Sequence, residues 1–194
     1  EDAPDVLMSA TEGHDVGLLV CDAALASTGP FLDQDISVYR TMLDVNCASF
    51  LGLVHGFGRR FASRKKGGIV IMSSMAAFHG SPMVAVYSAT KSFLLTLAEG
   101  VGAELAPRGV DVVACCPSVV LTPHFLSDGH NPRKVPLALE PAFVAREALH
   151  GLGRRRIVVP SVPGRVAHFF MSRLLPRTAA VAMIGRNTRV MYGE

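Results

Sequence analysis

Runs of apolar residues, punctuated by glycine and proline, divide this chain into alternating strands and helices. Residues 5–12, DVLMSATE, read as the last turns of a helix, and VGLLV at 16–20 as a short buried strand. Residues 37–62 place Val38, Met42, Val45, Ser49 and Val54 at helical spacing, with several glycines suited to close packing or bends. Gly67 and Gly68 open a second strand, GGIVIMSS, just after the basic cluster Arg64–Lys65–Lys66. A helix is predicted from about Ala85 to Leu105, stopping near Pro107 and Gly109. VDVVACC is a third strand, ended by Pro117. Residues 118–140 hold three prolines and little periodicity, so they are expected to form a loop or small lid. PAFVAREALHGL predicts a helix with Pro141 at its start, RRIVVP a fourth strand, and residues 162–194 a basic amphipathic tail.

Strands that are continuously apolar and separated by helices imply an α/β fold, with a parallel sheet covered on both faces. Function in such sheets gathers at the carboxyl ends of the strands. Ala23, Ser73–Ser74 and Pro117–Ser118 all follow predicted strand ends.

With 49% apolar and 18% charged residues, the 194 residues suit one folded domain with a real core. Cys21, Cys47, Cys115 and Cys116 show neither metal nor disulfide spacing. Reduced core thiols and a cytoplasmic setting are therefore expected. No basic, apolar leader opens the acidic stretch EDAPDVLMSATEGHD. The net charge of +3 conceals an asymmetry, because residues 148–194 carry eight arginines against Glu194 alone. Such a basic end, with apolar neighbours, points to anions or peripheral contact with a membrane surface, or else to a solvated helix face. No nucleic-acid-binding module accompanies it. Its arginines interrupt the apolar residues too often for a membrane span.

Candidate chemistry centres on Tyr87 and Lys91 in VYSATKSF, four residues apart and so on one helix face. A phenol titrates near ~10, too high for efficient proton exchange at neutral pH, and a neighbouring ammonium lowers that value. A strand-end serine could hold the same substrate oxygen. Hydride must come from a bound partner, since no side chain supplies it. The plainer alternative makes Tyr87 a core residue, with Lys91 stretched over it. Ser73 is expected to bond the backbone at its strand end. His79, His124 and His130 are expected to lie exposed in loops, and with His14 and His55 they suggest no metal site.

Taken together, GGIVIMSSMAAFHGSPMVAVYSATKSF resembles the classical short-chain dehydrogenase/reductase family, and the likeness extends over essentially all 194 residues. That resemblance implies a Rossmann-like fold and an NAD or NADP cofactor. It makes Tyr87 the acid/base, Ser74 the residue that orients and polarises the substrate oxygen, and Lys91 the group that tunes Tyr87 and holds the nicotinamide ribose. Asn46 in DVNCASF matches a helix asparagine that supports a proton-relay water. VCDAALA falls where the family has Asn-Asn-Ala-Gly; Asp22 and Ala23 match its second and third positions, while Cys21 and Ala24 depart from the pattern. CCPSVVLTP resembles a Pro-Gly segment lining the nicotinamide. Pro117, Ser118 (in place of glycine), Val120 and Thr122 are its expected cofactor contacts.

In that family a Thr-Gly-x-x-x-Gly-x-Gly loop follows the first strand, and an acidic residue after the third contacts adenine. The strand at 16–20 matches the fourth. The resemblance is thus expected to start late, with the N-terminal glycine-rich cofactor-binding segment lacking and residues 1–194 forming a partial Rossmann domain from the fourth strand onward. Either a longer enzyme has been cut, the favoured account, or a truncated relative completes its sheet through another chain. The strand at 16–20 would then be an open edge, and the isolated chain poorly folded and inactive. The choice between NAD and NADP is not readable.

The expected parent activity is interconversion of an alcohol and a ketone or aldehyde. Apolar residues in the 118–140 substrate loop and in the tail favour a hydrophobic compound. The alternative is a non-catalytic interaction or lipid-surface-binding protein that keeps the fold. Family habit adds a homo-oligomer built on the helices of Asn46 and Tyr87.

Overall fold

The structure, a computed structural model, describes residues 3–123, 125 and 138–192. Among these, four parallel strands form one sheet in chain order: β1 (Leu18–Cys21), β2 (Gly67–Met72), β3 (Val110–Cys115) and β4 (Ile157–Val158). The register sets Leu19 beside Ile69, Ile69 beside Val112 and Ala114 beside Ile157. Each strand pair is joined by helical crossovers, as parallel pairing requires.

One face carries α1 (Ala3–Ala10), α2 (Ile36–Leu43), α3 (Ser49–Ser63) and α4 (Ala85–Leu105). Phe50, Val54, Phe57 and Phe61 of α3 and Leu94, Leu95 and Ala98 of α4 meet Leu19, Ile69, Ile71 and Val112 in the larger core. The opposite face is covered by α5 (Pro141–Gly151), whose Val144 and Ala148 meet Val70, Val113 and Val158. Helices thus lie on both faces, as the apolar runs predict.

Coverage of β1 is less complete than its apolar sequence implies. Leu19 and Cys21 are buried, but Val20 is 51% exposed and Leu18 38%. Their side chains alternate between faces, and α5 packs over β3 and β4 rather than β1.

Glycines in α3 have a clear use. A Cβ on Gly52 would lie 2.9 Å from Pro4 Cγ, and one on Gly56 2.9 Å from Met8 Sδ. Spaced one turn apart, they let α1 lie directly on α3. Arg60, a further turn on, donates to the carbonyls of Met8 and Thr11 at 3.3 and 3.1 Å, satisfying groups at the end of α1.

The helical stretch 36–63 starts at Asp35, whose carboxylate accepts from Ser37 N at 2.7 Å. Between α2 and α3 it widens into a π turn, Asp44–Ala48. After β4, α6 (Val162–Phe169), a second π turn (Phe170–Leu174) and α7 (Arg177–Tyr192) complete the described chain.

Candidate active site

The polypeptide leaves the carboxyl ends of β1, β2 and β3 side by side. Ser73 N donates to Cys115 O at 2.8 Å, and Met75 N to Pro117 O at 2.9 Å, so the chain after β2 stays joined to the chain after β3. Ser73 is buried, and its hydroxyl donates to Lys91 O at 2.8 Å, pinning α4 to the strand end. That is the backbone role expected of it. Ser74 is half-buried and caps the 3-10 turn Met75–Ala77, accepting from Ala76 N at 3.1 Å.

Tyr87 and Lys91 share one side of α4. Lys91 is only 3% exposed, and its Nζ lies 5.6 Å from the Tyr87 ring centroid. The ammonium donates to Met72 O at 2.8 Å, which fixes it at the end of β2. Burial pulls its pKa down to about 8, while the negative charge of Asp22 opposes the shift, followed by the Cys116 and Cys47 thiols. Lys91 therefore remains a cation at neutral pH, buried beside a half-buried phenol ring.

Asn46 lies in the first π turn and is fully buried. Its Oδ1 accepts from Leu25 N at 2.8 Å, and its Nδ2 donates to Leu25 O at 2.8 Å and Thr90 Oγ1 at 3.1 Å. Thr90 in turn donates to Tyr87 O at 2.8 Å. The amide thus spends both its hydrogens on tying the segment after β1 to the helix of Tyr87. Thr90, absent from the sequence expectations, is the link. Its spacing of three from Tyr87 is the only sequence signal.

Asp22 and Ala23 follow β1 and are exposed. Pro117 is buried, and Ser118, Val120 and Thr122 are half-buried. Val120 bridges Leu139 in parallel, and the Thr122 hydroxyl accepts from Phe125 N at 3.1 Å. The predicted cofactor contacts therefore line the ends of β1 and β3, on either side of Ser74, Tyr87 and Lys91 at the end of β2.

One expectation fails here. His79 is 4% exposed, not solvated, and His168 of α6, Met171 of the second π turn and Arg177 of α7 lie near it. Its Nδ1 has no hydrogen-bond partner among the described residues, and burial followed by the Arg177 charge lowers its pKa, with the Met171 backbone opposing the shift. His124 and His130 lie outside the described residues. Among the described residues no group of His, Cys, Asp or Glu is arranged to hold a metal ion.

The family model for short chain dehydrogenase matches residues 5–132. This chain belongs to the short chain dehydrogenase family. The match corrects the expectation of a late-starting, truncated member. It begins at residue 5, in the segment read as the last turns of a helix, and takes in α1 and β1 together, so the N-terminal region of this chain belongs to the match. The packing of α1 on Gly52 and Gly56 gives that segment a built-in place in the fold.

A 7beta-hydroxysteroid dehydrogenase of Collinsella aerofaciens is 32% identical over 161 residues, covering 81% of this chain and 61% of that protein. A solved structure from work on 7beta-hydroxysteroid dehydrogenase stereoselectivity superposes with a TM-score of 0.87 at 28% identity, covering 94% of this chain and 72% of that one. A short-chain dehydrogenase from Sphingobium yanoikuyae in complex with NADPH gives a TM-score of 0.75 at 25% identity, covering 89% and 68%. This short chain dehydrogenase spans about three-fifths of the length of the curated relatives it matches.

Proposed function

We propose that this chain carries the proton-transfer site of an NAD(P)-dependent oxidoreductase that interconverts a hydrophobic alcohol and its ketone or aldehyde. The observation that carries this reading is Lys91, a buried cation held at a strand end against the Tyr87 ring. Burying an ammonium is costly unless it is used or paired. The nicotinamide ribose fits the Lys91 amine, and the ends of β1 and β3 supply Asp22, Ala23, Pro117, Ser118, Val120 and Thr122 around it. Among the described residues no glycine-rich strand–loop–helix turn offers amides to the diphosphate, so no role is assigned there. When bound, the nicotinamide accepts or supplies hydride.

Every other task falls to side chains of this chain. Ser74 holds the substrate oxygen at the end of β2. Tyr87 gives that oxygen a proton or takes one from it, and Lys91 favours the phenolate by its charge. Asn46 acts as a positioning residue: with its amide committed to Leu25 and Thr90, it supports any proton relay by fixing the segment beside Tyr87. Val119, Val120 and Leu121 supply the described part of the substrate wall; most of the 118–140 substrate loop lies outside the described residues. The likeness to 7beta-hydroxysteroid dehydrogenases supports a bulky, steroid-like substrate. Four free thiols favour a reducing, cytoplasmic setting, and the helices bearing Asn46 and Tyr87 are the surfaces for a homo-oligomer.

Fluorescence titration with NADPH and NADH, followed by turnover of steroid and long-chain ketones, tests the reading. Tyr87→Phe should lower kcat/KM by ~10²–10⁴-fold and leave nucleotide affinity unchanged. A folded chain that binds neither nucleotide, or a Tyr87→Phe variant with full activity, overturns it.

A further inference from the structure

The segment Val162–Leu174 is built inside out. Ser161 caps α6 by accepting from Gly164 N at 3.1 Å. The side facing the body carries Gly164, Ala167, His168 and Met171: Gly164 is buried close to Val159, and the His168 ring packs 3.9 Å from that of Phe78. The outer side holds the bulk. Val162 is 61% exposed, Val166 63%, Phe169 59%, Phe170 46% and Leu174 60%. Spacings of four, three, one and four gather these five along one side of a helix.

Charge separates the occupants this face could take. No Asp or Glu occurs between Glu147 and Glu194, while eight arginines do, and Arg173 is exposed within the apolar stripe itself. A two-fold contact through this patch alone would bring two copies of Arg173 into one interface, and residues 162–174 hold no carboxylate to pair with either. An anionic lipid surface satisfies both halves of the pattern. Aromatic and aliphatic side chains enter the headgroup boundary, and arginines meet phosphate. No described helix is long and apolar enough to cross a membrane, which leaves in-plane docking.

We propose that the outer face of Val162–Leu174 docks this protein on anionic lipid bilayers. The test is flotation of the full chain with phosphatidylcholine vesicles, alone or containing about one third phosphatidylglycerol. Recovery on the anionic vesicles should exceed that on neutral ones by at least about tenfold, and should fall as salt is raised from ~0.1 M to ~1 M. The exposed double variant Phe169→Ser/Phe170→Ser, and separately Arg173→Glu, should each lose most of the binding while melting as the parent does. Arg173→Glu keeps the test decisive should the double variant fold poorly. Absent or equal binding to the two vesicle types overturns the proposal, as does parent-like binding by Arg173→Glu. A concentration-dependent dimer abolished by Phe169→Ser/Phe170→Ser would assign the face to a second copy and overturn it too. These readouts report binding alone, so failure of the oxidoreductase reading leaves them interpretable.

Discussion

At the carboxyl end of β2 polar groups lie inside the protein and are bonded there, whereas along Val162–Leu174 apolar groups lie outside and face water. Asn46, Ser73, Thr90 and Lys91 are all under 5% exposed, and each has a named hydrogen-bond partner. Five bulky apolar residues of the tail are each 46–63% exposed. Buried polar groups are tolerated only when satisfied, and large exposed apolar patches persist when something covers them. The first region is therefore organised by internal bonds, and the second, on the docking proposal, by contacts beyond the chain.

The contrast can be broken most severely at Lys91. Lys91→Met removes a buried cation and keeps the stem, so activity should fall by ~10²–10⁴-fold while the melting temperature holds or rises. A stability loss parallel to the activity loss would make Lys91 a structural group. Next in size is Asn46→Leu, which strands the N–H and C=O of Leu25. Urea unfolding should show a loss of about 3 kcal/mol. A loss below about 1 kcal/mol would mean that the loop finds other partners.

The smallest effect is expected where the tail meets the body. Burial, then neighbouring cationic or imidazole groups, holds His79 and His168 below the ordinary histidine value; Arg177 faces His79, and His79 and Arg173 face His168. Because the folded pKa values are lowered, the unfolded chain binds protons first as pH drops below about 6.5, and stability is lost across that window. Hydrogen exchange at 162–174, corrected for intrinsic rates, should be faster near pH 5.5 than near pH 7.5 by roughly twofold or more, with β2 and β3 unchanged. His79→Gln should flatten the difference. Equal protection at both pH values would show that the histidines do not hold the tail.

The fold was legible because its signal is local. Apolar runs at 67–74 and 110–116 contain the observed strands Gly67–Met72 and Val110–Cys115 almost residue for residue. The Ser, Tyr and Lys spacing likewise needed only a strand, a turn and one helix. What escaped depends on distant partners. Val20 looks like its neighbours in sequence, and its exposure follows from its edge strand and from α5 packing over β3 and β4 instead. His79 became buried through contacts with residues about a hundred positions later, and Thr90 acquired its role from Asn46, 44 residues away. DVLMSATE is legible as helix, and α1 (Ala3–Ala10) is one, but where that helix lies in the fold is written in Gly52 and Gly56.

The π turn at Asp44–Ala48 works as an indexing notch. An α-helix rotates by about 100° per residue, so one residue removed there would make a more regular helix and turn everything on one side of it by that angle. Tyr39 and Met42, buried before the notch, would then fall out of phase with Phe50, Val54 and Phe57 after it. A shorter, smoother rod would be the worse protein. The surplus residue lets a single helical stretch present two different sides to the core while keeping an asparagine facing in at the join.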